Sequence, residues 1–145
     1  MTQGVGTCIS TLEFCLATLG DVDVATVTAR MWALRLGAPK QVQWELALIT
    51  SEAGSNAVVH GGGGQAILTQ PGQRTLKLEV IDRGPGISNV AAALADGYSR
   101  GSRAEQNQLR FSLGCGLGAI QRLSDVFELH TLPGGGTTLI AVKHF

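Results

Sequence analysis

Four glycine-rich breaks cut this chain into short pieces: HGGGG at 60–64, RGPG at 83–86, LGCGLG at 113–118 and PGGG at 133–136. They hold most of the 20 glycines in the 145 residues and follow no fixed period. That argues against a low-complexity tract, and for several places where backbone turns sharply or closely approaches something else. The pieces between the breaks are one to three secondary-structure elements in length. None contains an apolar run of about 18 residues, so no membrane span is expected.

The pieces alternate in character. Thr11–Thr18, TLEFCLAT, reads as a strand. A helix follows, capped by Asp21 or Asp23 and stopped at Gly37 with Pro39 just beyond. A second helix runs from near Pro39 to about His60, with Trp44, Leu48, Ala53 and Ala57 at helical spacing. Gln65–Thr69 and Thr75–Ile81 form a hairpin around QPGQ, with Leu76, Leu78 and Val80 on one face. Ser88 or Asn89 caps a short helix, NVAAALADG. A polar stretch at about 99–113 is loop-like and long enough to be a lid. GCGLGAIQRLSDV enters another helix, and VFELHTL and TTLIAVKHF close the chain as a hairpin around PGGG. Hairpins dominate the strands. The expected fold is therefore α+β: a two-layer α/β sandwich with a mixed, mostly antiparallel sheet and helices on one face. One domain spanning 1–145 accounts for the whole length.

Charge excludes some functions. Acidic and basic residues number 11 each, and formal net charge is zero. Nothing here carries the basic footprint of a nucleic-acid partner or an anionic membrane surface. Cys8, Cys15 and Cys115 form no CxxC pair and read as reduced thiols. The first residues lack a basic start followed by an apolar block, so a cytoplasmic protein is expected.

Three places can carry chemistry. In LITSEAGSNAVVHG, Glu52 and Asn56 lie four apart and so share a helix face. Gly54 sits between them, where glycine disfavours a helix by about 1 kcal/mol. An amide oxygen suits Mg2+, which keeps waters and phosphate oxygens around it, and a nearby carboxylate can take a proton from an attacking nucleophile. In VIDRGPGI, Asp82 ends a strand. Its carboxylate can accept from the exocyclic amine of adenine, and it matches guanine's carbonyl poorly. Gly84 and Gly86 leave the backbone flat for a base. LGCGLG opens a helix whose bare amides can hold phosphate. It matches neither the GxGxxG dinucleotide fingerprint nor a P-loop.

In this order, SEAGSNA, IDRGPGI, LGCGLGAIQRLSD and GGGTT resemble the N, G1, G2 and G3 boxes of the GHKL ATPase superfamily, whose domain has the Bergerat fold. LRLG, DGYS and the terminal AVKHF are similar to the switch-protein serine/threonine kinases of bacterial anti-sigma-factor systems, the stressosome-type kinase in particular. The resemblance implies ATP and Mg2+ as cofactors. It implies Glu52 as general base and Asn56 as Mg2+ ligand. Asp82 would bind the adenine amine, with Gly84, Gly86 and Ile87 shaping its pocket. Gly114, Gly116, Leu117 and Gly118 would hold phosphates, and Thr137 would support the base through water. Arg100, Arg103 and Arg110 all qualify as the lid arginine. The implied substrate is a serine or threonine on a STAS-domain protein. A sigma factor or a PP2C-type phosphatase is a further partner, and a homodimer is compatible with the pattern. The competing reading is a nucleotide- and partner-binding module without catalysis. A detached sensor histidine kinase domain fits less well, because no segment supplies dimerisation helices with a phospho-accepting histidine.

Overall fold

Thr18, rather than either aspartate, starts the first helix. Its side chain accepts from the Asp21 amide, while the Asp21 carboxylate accepts from the backbone N–H groups of Ala17 and Thr18, both at 2.9 Å. This is a reciprocal capping box, and those two donors, Ala17 first, hold the Asp21 carboxyl below its ordinary value. Because Thr18 is used as a cap, the strand before it ends at Leu16. The computed structural model describes residues 10–95 and 116–145, and its elements follow the expected order. They are β1 (Thr11–Leu16), α1 (Leu19–Arg35), α2 (Lys40–Val59), β2 (Gly64–Gly72), β3 (Thr75–Asp82), α3 (Val90–Leu94), α4 (Gly116–Leu123), β4 (Val126–Thr131) and β5 (Thr137–His144). The lid expected at 99–113 lies outside the described residues, as do Gly114, Cys8 and Cys115.

The sheet order is β1-β2-β3-β5-β4, and every neighbouring pair is antiparallel. The allowance for a mixed sheet is not used among the described strands. The inward rows of β2, β3 and β5, including Leu68, Leu76, Leu78 and Leu139, are buried against the helices. The alternate residues are partly exposed, as expected of an antiparallel sheet with one wet face. The first hairpin differs from expectation. β2 continues through Pro71 to Gly72 across an irregularity in register after Thr69, and the turn falls at Gln73–Arg74. A proline has no N–H to give a ladder, and a bulge accommodates it.

On α2 the buried line is Val42, Leu46, Ile49, Ala53 and Ala57. Trp44 is instead 48% exposed, with the Arg30 guanidinium 3.8 Å from its ring centroid. Two apolar registers fit this helix, and packing selects one. Helix α1 packs beside α2 so closely that a Cβ on Gly54 would stand 3.0 Å from the Val22 side chain. That contact explains the helix-interior glycine. The opposite side of α1 carries a stripe of apolar residues, Val24, Val27, Met31 and Leu34, each 49% to 64% exposed.

The far end of the sheet is tied down by one cation. Lys143 on β5 is 7% exposed. Its Nζ lies 2.7 Å from Glu45 Oε2 on α2, donates to the Leu123 carbonyl at 2.7 Å, and stands 3.7 Å from Asp125 Oδ2. Burial acts to raise the Glu45 carboxyl, but the Lys143 ammonium and the Gln41 amide outweigh it and hold the group below its ordinary 4.5. Lys143→Met keeps the stem, removes the charge and leaves the Leu123 carbonyl without its donor. It should cost about 1–3 kcal/mol in urea melts at neutral pH. A depressed carboxyl contributes stability above its unfolded value and loses it as pH falls through the lower folded value. The gap between wild type and Lys143→Met should therefore narrow as pH drops below 4.5. A gap that stays constant to low pH would show that the ion pair is not its source.

Candidate functional site

The site lies at the end of the sheet where β3 finishes. Strand register carries one inward-facing row across all five strands: Leu16, Gly64, Asp82, Thr137 and Thr131, in sheet order. Asp82 thus stands beside Thr137, although 55 positions separate them in sequence. The Asp82 Oδ1 accepts from the Gly84 amide at 2.9 Å, a short local bond that sets the direction of the carboxylate as the chain leaves the strand.

The C-terminus of α2 closes on the same spot. His60 and Gly61 both donate their amides to the Asn56 carbonyl, at 2.9 and 3.2 Å. A Cβ on Gly61 would sit 2.5 Å from Asp82 Cγ, and one on Gly84 would sit 2.5 Å from the Gly61 Cα. Neither position tolerates a side chain without moving Asp82 or backbone. The two glycines therefore let the end of α2 and the turn after β3 pack backbone to backbone around the carboxylate and hold it in place.

Glu52 and Asn56 sit on the same helix. Gly54 faces α1, and at 100° per residue Glu52 and Asn56 point 160° and 200° around from it, away from α1. α2 has α1 on one flank and α4 on the other, so this pair faces the α4 side. Glu52 is only 5% exposed, and Asn56 is half-buried. Burying a carboxylate is costly unless it is partnered, and Glu52 does have partners. Helix α4 opens with Gly116 at φ +52° and continues through Leu117 and Gly118, both buried. Gly86 and Ile87 lie in the turn after Asp82. There the Ile87 amide donates to the Thr131 hydroxyl at 2.8 Å.

Asp82, Gly84, Gly86, Ile87 and Thr137, with Gly61 at the end of α2, are thus brought to one end of the sheet, while Glu52, Asn56 and Gly116–Gly118 lie on the two helices packed on it. Two neighbours were not singled out from sequence. Gly61 had a signal: four glycines in a row exceed the one that a helix stop requires. Thr131 had none, because only strand pairing brings it to Thr137. Among the described residues, no three His, Cys, Asp or Glu side chains form a metal-binding group, and no helix is long and apolar enough to cross a membrane. A cation here would rest on the Asn56 amide oxygen together with water and ligand oxygens. That hard, oxygen-only donor set fits Mg2+.

Residues 15–143 match the histidine kinase-like ATPase domain, and the chain belongs to that family. Within it, the chain is 31% identical to the serine/threonine-protein kinase RsbT of Bacillus subtilis over 126 residues, covering 85% of this chain and 88% of that one. It is 28% identical to the anti-sigma F factor of Clostridium acetobutylicum over 134 residues, 90% of each chain. Among solved structures, the RsbU and RsbW domains of Rv1364c from Mycobacterium tuberculosis superpose with a TM-score of 0.64 at 20% identity, over 93% of this chain and 32% of that one. SiaB–SiaC from Pseudomonas aeruginosa gives 0.56 at 16% identity, over 91% and 89%. At these identities the two structures speak for the fold.

Proposed function

We propose that this protein is an ATP- and Mg2+-dependent serine/threonine kinase whose substrate is a hydroxyl on a STAS-domain partner. The observation that carries the reading is Glu52: a carboxylate held 5% exposed on the α4-facing side of α2, one turn before Asn56. The family membership and the likeness to RsbT support it.

In this reading Asp82 accepts from the adenine amine, and Gly61, Gly84 and Gly86 shape the pocket by letting the surrounding backbone close tightly on the Asp82 turn. Ile87 and Thr137 border the base. The backbone at Gly114, Gly116, Leu117 and Gly118 receives the phosphates at the entry to α4. Asn56 offers its side-chain oxygen to Mg2+, which when bound with ATP neutralises charge on the transferring phosphoryl group. Glu52 takes the proton from the substrate hydroxyl as that oxygen forms its bond to the γ-phosphorus. The bond from phosphorus to the bridging oxygen breaks, and its electrons leave with ADP. The region at about 99–113 acts as the nucleotide lid of a single domain. Phosphorylation of that partner in turn switches the kinase between it and a second partner, a sigma factor or a PP2C-type phosphatase.

The test is incubation of the protein with γ-labelled ATP, Mg2+ and candidate STAS-domain proteins. Label on serine or threonine of one of them is expected. ATP binding without transfer to any of them would favour the non-catalytic module. A homodimer would bury the apolar stripe of α1. Sedimentation should then show a dimer for wild type and a monomer for Met31→Glu, and a wild-type monomer at all concentrations retires that assembly.

A further inference from the structure

The Thr131 hydroxyl is the meeting point of three segments of the site, and it holds a single proton. It accepts from the Ile87 amide at 2.8 Å, lies 3.2 Å from the Thr137 hydroxyl and 3.3 Å from the Gly136 carbonyl. A carbonyl can only accept. The Gly136 carbonyl also accepts from the Leu132 amide at 3.4 Å, so the Thr131 proton is free to go to Gly136 or to Thr137. In either arrangement the Thr131 oxygen accepts from the Ile87 amide.

The surrounding backbone reinforces the junction. Gly86 has φ +75°, and a Cβ there would stand 2.2 Å from the Leu132 carbonyl oxygen. The Gly134 amide donates to the Pro85 carbonyl at 2.8 Å. The turn after Asp82 and the β4–β5 hairpin are thus clasped together at backbone contact. Thr131 is the side chain at the centre of the clasp.

We propose that Thr131 is a positioning residue for nucleotide binding. It fixes the Asp82–Ile87 turn against the β4–β5 hairpin through the Ile87 amide and holds the Thr137 hydroxyl at hydrogen-bond distance beside the strand of Asp82. The inference rests on the nucleotide-binding reading of Asp82 and goes beyond it in assigning a residue that never touches the ligand. Because Thr131 acts at the base end, its loss should weaken ATP and ADP by the same factor.

Calorimetry on the full chain with Mg2+ and either ATP or ADP tests this with four proteins: wild type, Thr131→Val, Thr131→Ser and Asp82→Asn. Valine keeps the shape and strand preference of threonine and removes the hydroxyl, and thermal melts confirm that it folds. Thr131→Val should weaken both nucleotides by about five- to tenfold, the loss of one hydrogen-bonded anchor. Thr131→Ser should bind within about twofold of wild type, because it keeps the hydroxyl that the argument requires. Should Asp82→Asn lose affinity while Thr131→Val binds like wild type, the role of Thr131 is refuted and the nucleotide site stands. Equal weakening by valine and serine refutes it too, since the hydroxyl would not be the cause. A wild-type chain that binds neither nucleotide overturns both readings together.

Discussion

Glu52→Gln should bind ATP within a few fold of wild type and transfer phosphate about 10²–10⁴-fold more slowly. Glutamine preserves the shape of a side chain that is 5% exposed, so packing around α2 changes little. What it removes is the ability to take a proton, and general-base catalysis contributes in that range. The two readouts must be separated. Calorimetry reports the nucleotide, and single-turnover transfer to the partner protein reports the chemistry. A variant that phosphorylates the partner at the normal rate would exclude Glu52 as the base. A variant that no longer binds ATP would assign Glu52 to the binding surface instead.

Asp82→Asn should weaken ATP by about ten- to a hundredfold, the value of a hydrogen bond to a charged group. Oδ1 already accepts from the Gly84 amide, and the second oxygen retains the capacity to accept from an amine. In asparagine that second position carries an NH2, a donor facing a donor. The same logic predicts weak GTP binding by the wild type, because guanine presents a carbonyl at that position. It also predicts a narrower ATP-to-GTP gap in the variant. Equal affinity of the wild type for the two nucleotides would remove the base-reading role of Asp82.

Much of the site was legible because it is built from local relations. Glu52 and Asn56 share a helix face by spacing alone, and Gly84 and Gly86 follow Asp82 in the same turn. The glycine breaks marked where elements end, and the order of the boxes carried the family. The errors have local causes as well. Asp21 looked like a cap but is the N3 residue of a capping box begun by Thr18, a distinction of one turn within a run of suitable residues. Trp44 and Leu48, four apart, look like one apolar face of α2, but Trp44 lies about 180° around the helix from Ala53, and the packing that buries Val42, Leu46, Ile49, Ala53 and Ala57 leaves it outside.

The sequence by itself determined the order of elements and the local pairings that matter most, Glu52 with Asn56 on one helix and Asp82 with Gly84 and Gly86 in one turn. Those follow from 3.6-residue and two-residue periods and from the backbone freedom of glycine. Only the tertiary structure decided that Asp82, Thr137 and Thr131 form one row, that Gly61 seats the Asp82 carboxylate, and that Lys143 ties α2 to the far end of the sheet. These are contacts between segments distant in sequence. Strand register and helix packing create them, through the joint burial of apolar faces that no single segment can specify.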